Sequence, residues 1–184
     1  MKKAIVTGAG GFIGSHFVRF LKKKNYNILG IDLKRPQFSK TLADAFVLGD
    51  LRKPTVTKKY ISSADEVYMF AADMGGMGYI NHVRAKIMHD NALINANTLE
   101  AARMSNVRKV FFSSSACVYP LGKQKNGQNK GLKEKDAIPA DPDTMYGWEK
   151  VFSEMLCKSY ALDYDMKVHV ARFHNVYGPE GVYD

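Results

Sequence analysis

Residues 3–14 read Lys3-Ala4-Ile5-Val6-Thr7-Gly8-Ala9-Gly10-Gly11-Phe12-Ile13-Gly14, and this stretch decides the fold. The run from Lys3 to Thr7 is short, apolar and followed at once by glycines, as a buried parallel strand is. From Phe12 to Lys24, apolar side chains recur at helical spacing. A strand, a glycine turn and a helix in this order predict the first unit of a parallel sheet with crossover helices.

The glycines of the turn have a spacing that suits a dinucleotide. Gly8 allows a tight turn, Gly11 lets backbone N–H groups approach a pyrophosphate, and Gly14 allows close contact between helix and strand. Phe12 and Ile13 open the helix, whose N-terminus carries partial positive charge. We predict that these five residues contact the dinucleotide; the alternative is that the glycines serve a turn only.

An acidic residue follows the second predicted strand, Asn27 to Ile31. Asp32 is placed to accept hydrogen bonds from the adenosine ribose hydroxyls and to repel a 2′-phosphate, which favours NAD over NADP. Lys34 and Arg35 weaken that preference, because an arginine in this position can bind the additional phosphate.

Further strands are predicted at 45–48, 67–70, 109–113 and 167–172, with helices at about 81–104 and 144–164. Alternating strands and helices predict an α/β protein with a Rossmann-type, doubly wound parallel sheet, one domain over residues 1–184. The polar segment 122–142 is predicted to be a long surface loop, or an insertion over the active site, rather than a linker between domains. Ligands of such sheets bind beyond the carboxyl ends of the strands, where the unusual motifs of this chain lie.

Two of these strand ends supply further candidate cofactor contacts. Asp50 and Leu51 follow the third strand, where Asp50 suits the adenine amine. The alternative for Asp50 is a helix N-cap before a helix from Leu51 to Ile61. Ala71 and Ala72 follow the fourth strand, and their small side chains let a dinucleotide lie against the backbone.

Tyr146 and Lys150 are four residues apart, on one face of a predicted helix. A tyrosine is a poor base near pH 7, but a neighbouring ammonium favours the phenolate and lowers its pKa. The phenolate can then take a hydroxyl proton while hydride leaves for a nicotinamide. Ser115, at the end of the fifth strand, is placed to hold the substrate oxygen. We predict that these three residues are catalytic and that Tyr146 and Lys150 also contact the cofactor.

The bulk composition is that of an ordinary globular protein: 184 residues, 46% hydrophobic and 24% charged. The first residues read as a strand rather than a signal peptide, and no apolar run reaches membrane-spanning length, so we predict a cytoplasmic protein without membrane contact. The net charge of +9 is scattered, which favours solvated faces and attraction to anionic nucleotides over nucleic-acid binding. The two cysteines, Cys117 and Cys157, show no metal-ligand spacing, and no metal is predicted.

Together, the glycine turn, the serines of the fifth strand, the Tyr-x-x-x-Lys pair and Tyr177-Gly178-Pro179 resemble the extended short-chain dehydrogenase/reductase family, also called NAD-dependent epimerase/dehydratases. The resemblance covers essentially the whole chain. It implies a Rossmann domain followed by a smaller C-terminal substrate domain, NAD as cofactor, and redox chemistry at Ser115, Tyr146 and Lys150.

Three segments narrow the resemblance to GDP-mannose 3,5-epimerases. They are Ala71-Ala72-Asp73-Met74-Gly75-Gly76-Met77-Gly78, Ser114-Ser115-Ala116-Cys117-Val118-Tyr119-Pro120 and Arg172-Phe173-His174-Asn175-Val176-Tyr177-Gly178-Pro179. The resemblance implies transient oxidation of the hexose at C4 by Tyr146, and proton exchange at C3 and C5 by Cys117. Gly75, Ser115 and Asn175 would contact the nucleotide sugar. The alternative for Cys117 is a small buried apolar residue.

One part of the family pattern is not found. The resemblance implies a second acid/base, a lysine downstream of Asp184, together with the basic residues that clamp the GDP. We therefore expect a substrate domain that is largely missing, exposed apolar surface and homo-oligomerisation. Three functions stay open: a nucleotide-sugar epimerase acting on GDP-mannose, a different sugar-nucleotide epimerase or dehydratase, and a non-catalytic NAD-binding module.

Overall fold

The computed structural model describes residues 1–62, 64–124 and 131–181. Six parallel strands form one sheet in the order β3-β2-β1-β4-β5-β6. The strands are β1 (Lys3–Thr7), β2 (Asn27–Asp32), β3 (Ala45–Leu48), β4 (Glu66–Met69), β5 (Lys109–Ser115) and β6 (Lys167–Phe173). This order reverses between β1 and β4, as in dinucleotide-binding folds, and it confirms the predicted doubly wound sheet.

Helices lie between consecutive strands of the chain, except between β2 and β3. They are α1 (Phe12–Lys23), α2 (Pro54–Tyr60), α3 (Met77–His82), α4 (Arg84–Met104), α5 (Leu121–Gln124) and α6 (Met145–Tyr164), with short 3-10 turns at Ala116–Val118 and Glu134–Ala137. Segment 122–142 therefore contains helical turns as well as the predicted loop, and residues 125–130 lie outside the described residues.

Two predicted helices differ from the observed ones. The helix predicted at 81–104 is divided at Val83, whose ψ of 66° ends α3 before α4 begins. The helix predicted from Leu51 begins only at Pro54, because proline lacks an N–H and its fixed φ suits the first helical position. Lys53, and not Asp50, is the N-cap residue of α2.

The central strands β1 and β4 are largely buried, which is why they read as continuous apolar runs, whereas the edge strands β3 and β6 are partly exposed. Alternate residues of β1 point to opposite faces. Ala4 and Val6 pack with α1 in one buried cluster, whereas Ile5 packs in a second cluster with residues of α4 and α6. Cys157 of α6 is buried in that second cluster.

A buried carboxylate joins four parts of the chain at the amino-terminal edge of the sheet. Glu66 accepts hydrogen bonds from Tyr68 Oη at 2.5 Å, Tyr26 Oη at 3.1 Å and Lys2 Nζ at 3.2 Å. Lys109 Nζ lies 3.4 Å from the same carboxylate. Burial would raise the pKa of Glu66, but hydrogen bonds from Tyr68, Lys2 and Tyr26 outweigh it and hold the pKa at about 2.

We expect Glu66→Gln to lower the free energy of unfolding at pH 7 by about 2–3 kcal/mol. The folded-state pKa lies below the ordinary value of 4.5, so this contribution is complete above pH 4.5 and is lost as the pH falls toward 2. Urea unfolding at pH 7 and pH 3 measures it, with the exposed Asp143→Asn as control. Equal losses of stability in the variant and the parent on acidification would contradict the assignment.

Candidate functional site

The glycine turn between β1 and α1 is shaped by backbone contacts. Gly8 has a φ of +70°, a conformation that favours glycine. A Cβ on Gly14 would lie 2.0 Å from the Gly8 carbonyl oxygen, and one on Gly10 would lie 1.9 Å from the Lys34 carbonyl oxygen. A Cβ on Gly11 would meet nothing closer than 3.4 Å. Packing within the chain therefore explains three of these glycines, but it does not explain Gly11.

Gly11 faces a cleft of about 320 Å³ at the carboxyl ends of β1 to β4. The cleft is lined by most of the predicted cofactor contacts: Gly8, Gly11, Asp32, Asp50, Leu51, Ala71 and Ala72. Phe12 lines a smaller cavity that shares Gly11 with this cleft. Ile13 and Gly14 lie in the first turn of α1, and Gly14 is buried.

Asp32 has a structural role that the sequence did not indicate. Its Oδ2 accepts a hydrogen bond from Gly10 N at 2.8 Å, and its Oδ1 accepts one from Lys34 N at 3.1 Å. The carboxylate thus fixes the glycine turn against the end of β2 while it lines the cleft. The Arg35 guanidinium lies over the Phe46 ring, 5.3 Å from its centroid.

The N-cap alternative for Asp50 is wrong. The Asp50 carboxylate instead accepts hydrogen bonds from Arg52, from N at 3.0 Å and from Nε and Nη2 at 2.9 Å each. These bonds to Arg52 lower the pKa of Asp50. Arg52 Nη1 also donates to Asp90 on α4 at 2.7 Å, so Asp50 belongs to an ion-pair network.

This network continues along the cleft through residues that the sequence analysis missed. Lys86 bonds to Asp73 and lies 3.0 Å from Asp90, and Tyr79 Oη donates to Asp73 at 3.0 Å. Burial would raise the pKa of Asp90, but hydrogen bonds from His89, Lys86 and Arg52 hold it at about 2. Only the four-residue spacing of Lys86 and Asp90 was visible as a signal in the sequence.

The second part of the site is where α6 begins against the end of β5. Thr144 caps α6, because its Oγ1 accepts a hydrogen bond from Gly147 N at 3.1 Å. Ser115 caps the following 3-10 turn, because its Oγ accepts one from Cys117 N at 3.2 Å. A Cβ on Gly147 would lie 2.4 Å from the Cys117 carbonyl oxygen. The absent side chain therefore lets the first turn of α6 meet the Cys117 segment.

Tyr146 and Lys150 are both buried in this region. Tyr146 belongs to a buried cluster with Ile80 and Ile87, and Cys117 packs against this cluster. Lys150 is 2% exposed, and its Nζ donates to the Ser113 carbonyl oxygen at 3.2 Å and lies 5.5 Å from the centroid of the Tyr146 ring.

The electrostatics of this pair differ from the prediction in one respect. Burial is the main cause that raises the pKa of Tyr146, and charge interactions with Cys117 and Glu149 raise it further. A hydrogen bond with Ser115 lowers it. Burial also lowers the pKa of Lys150. The pKa of Tyr146 is therefore raised, opposite to the predicted lowering by the ammonium, because a phenolate is costly in a dry environment.

The three predicted substrate contacts have different settings. Gly75 lies before α3, where a Cβ would be 2.8 Å from Tyr79 Cβ. Ser115 is half-buried and pairs with Phe173 of β6. Asn175 is exposed two residues beyond Phe173, at the same edge of the sheet as Ser115.

A family model described as the NAD dependent epimerase/dehydratase family matches residues 4–184. The chain belongs to this family.

Among curated relatives, the chain is 43% identical over 183 residues to GDP-mannose 3,5-epimerase of Arabidopsis thaliana. It is 46% identical over 180 residues to GDP-mannose 3,5-epimerase 1 of Oryza sativa subsp. indica. These alignments cover 98% and 97% of the chain but 48% and 47% of the relatives. The chain therefore spans about half the length of the relatives it matches.

Solved structures of the family share the fold. UDP-glucose 4-epimerase of Thermus thermophilus, solved as a complex with NAD, superposes with a TM-score of 0.85 at 25% identity, covering 98% of this chain and 57% of that one. UDP-glucose 4-epimerase of Thermotoga maritima, solved with UDP-glucose, gives a TM-score of 0.85 at 25% identity, covering 97% and 57%.

None of the helices in residues 1–62, 64–124 and 131–181 combines the length and hydropathy of a membrane span. The same residues contain no group of three or more His, Cys, Asp or Glu side chains placed to hold a metal ion.

We expect Gly147→Ala to lower the free energy of unfolding by about 1–3 kcal/mol, because the new methyl group would overlap the Cys117 carbonyl. Gly78→Ala is the matched control, since it is also a helical glycine and a Cβ there meets no atom within 4 Å. The control should be neutral or stabilised by up to about 1 kcal/mol. Thermal and urea unfolding measure both, and equal effects would show that α6 does not require this contact.

Proposed function

We propose that this chain binds NAD in the cleft and belongs to a nucleotide-sugar epimerase of the GDP-mannose 3,5-epimerase type. It would supply the residues of the redox step and one of the two groups that exchange protons with the sugar. The observation that carries the proposal is the buried cluster of Tyr146, Ile80 and Ile87, against which Cys117 packs, at the sheet edge that also forms the cleft. The identity of 43–46% to GDP-mannose 3,5-epimerases supports this substrate class.

The residues of the cleft fit a dinucleotide. Packing within the chain would tolerate a side chain at Gly11. This residue lies at the N-terminus of α1, where partial positive charge favours phosphate. We propose that Asp32 binds the adenosine ribose and favours NAD over NADP, and that Asp50 and Leu51 lie near the adenine. Ala71 and Ala72 leave room along β4. NAD, when bound, supplies a hydride acceptor that can return the hydride within each cycle.

The residues at the start of α6 and the end of β5 would act on the sugar. Tyr146 takes the proton of the C4 hydroxyl, Lys150 supports the phenolate, and Ser115 holds the sugar oxygen. A ketone at C4 acidifies the protons on C3 and C5, and Cys117 removes or returns them on one face. Inversion also requires an acid/base on the opposite face, which the resemblance assigns to a downstream lysine. Gly75 and Asn175 are proposed to contact the nucleotide sugar.

We also propose that the protein is a homo-oligomer. Trp148, Phe152 and Met155 are exposed on α6, at spacings that place them along one side of the helix. The cytoplasmic location and the absence of nucleic-acid binding remain predictions.

Gly11→Ala tests the phosphate site. We expect it to fold with a stability within about 0.5 kcal/mol of the parent, because its Cβ meets no close neighbour. We expect its affinity for NAD to fall at least about tenfold, because the methyl group would project toward the phosphates. Titration calorimetry measures the affinity. Gly76→Ala is the matched control, since Gly76 is also a helix N-cap glycine with open space around it. Unchanged affinity in Gly11→Ala would place the phosphates elsewhere.

Deuterium exchange tests the chemistry. We expect incubation with NAD and GDP-mannose in deuterated water to label C3 or C5 of the hexose, as detected by NMR. Cys117→Ala should abolish the label, whereas Cys157→Ala, which removes the other thiol, should retain it. Label without inversion would agree with Cys117 acting on one face.

Two other outcomes would favour the alternatives. Label with a different sugar nucleotide and none with GDP-mannose would favour another epimerase or dehydratase. Binding of NAD without label from any sugar nucleotide would favour a non-catalytic module.

A further inference from the structure

The interface of α4 and α6 buries a carboxylate for which the proposed chemistry has no use. Glu149 is 1% exposed and directly precedes Lys150. Its Oε1 accepts hydrogen bonds from Asn95 Nδ2 at 2.8 Å and from Ser153 Oγ at 2.6 Å. Asn95 Nδ2 also donates to Ser153 Oγ at 3.0 Å, so α4 and α6 hold the carboxylate from both sides.

The other oxygen of this carboxylate faces the ammonium of Lys150. Glu149 Oε2 lies 3.9 Å from Lys150 Nζ, and no donor among the described residues forms a hydrogen bond to it. The distance is too long for a hydrogen bond but short for two opposite charges in a dry interior. The structure therefore pairs a fixed, buried anion with a buried cation.

The other titratable groups near Lys150 do not balance its charge. Glu154 is already paired with Arg172, through contacts of 2.9 Å and 2.7 Å. Burial raises the pKa of Cys157 to about 12, and it raises the pKa of Tyr146, so both are neutral at pH 7. The half-buried Cys117 is the remaining group, and it lies at the end of β5 rather than between the helices.

We propose that Glu149 is a positioning residue: its carboxylate, held by Asn95 and Ser153, is the counter-ion that keeps the Lys150 ammonium charged and directed at the Ser113 carbonyl beside Tyr146. The importance of this pairing for catalysis rests on the proposed function. The pairing itself does not, since it involves only side chains of this chain. A buried ammonium without a counter-ion loses its proton, and a neutral amine could not stabilise a phenolate.

Titration of Lys150 in the full chain tests the inference without cofactor or substrate. The Cε signal of Lys150 is followed against pH by NMR and assigned as the signal that Lys150→Arg removes. We expect Glu149→Gln to increase the acid dissociation constant of Lys150 at least about tenfold, because the largest interaction that opposes the effect of burial is then removed. Ser153→Ala is the matched control: it removes one hydrogen bond to Glu149 but keeps both charges, and it should change the constant less than about threefold. A change of less than about threefold in Glu149→Gln would overturn the inference.

A stability cycle covers the case in which Glu149→Gln does not fold. Lys150→Met leaves Glu149 buried without a cation, so the second change in Glu149→Gln/Lys150→Met should shift the unfolding equilibrium at least about tenfold toward the folded state. A double variant less stable than Lys150→Met would overturn the pairing.

The two proposals fail separately. A chain that does not bind NAD but shows the expected Lys150 titration would refute the proposed function and support the pairing. The chain could instead bind NAD and catalyse deuterium exchange into the sugar, with a Lys150 titration unaffected by Glu149→Gln. That result would support the proposed function and refute the pairing.

Discussion

The contact of α1 with the Gly8 carbonyl sets the geometry of the cleft. Because Gly14 has no side chain, the helix comes within van der Waals distance of the strand that precedes it, and its first turn stands at the carboxyl edge of the sheet. The Asp32 carboxylate then fixes Gly10 to the end of β2. Two strands and one helix thus converge on a single turn, and a cleft forms where the strand order reverses.

A second close approach, that of Gly147 to Cys117, brings the candidate catalytic side chains together. It places the start of α6 at the end of β5, so that Tyr146 and Lys150 lie one helical turn apart within a buried region. Burial disfavours both the phenolate form of Tyr146 and the ammonium form of Lys150. Charged and polar partners therefore surround the pair: Ser113 and Glu149 act on the lysine, and Ser115 acts on the tyrosine.

Local pattern was sufficient to predict the strands, because apolar runs bounded by glycine or polar residues are typical of a covered parallel sheet. It failed where distant residues decide the outcome. β5 extends to Ser115 despite its polar end, because Ser114 bonds to Glu154 and Ser113 bonds to the Met69 carbonyl. Nothing in the apolar periodicity marks the break at Val83.

In the candidate site, too, local features were predicted from the sequence, whereas features that depend on distant residues were not. The glycine motif and the Tyr-x-x-x-Lys spacing are local, so both were found in the sequence. The partners that set their charge state come from other elements. Asp50 bonds to Arg52, which reaches Asp90 on α4, and Glu149 is held by Asn95 of the same helix. Neighbours in sequence on a helix do not normally face each other, which is why Glu149 was not linked to Lys150.

The Glu66 cluster lies at the opposite end of the strands from the cleft. This cluster is thereby kept away from the groups that would contact ligands. Substitutions around the cleft can then change specificity during evolution without loosening this anchor. A chain built in this way can diverge in chemistry while its scaffold persists.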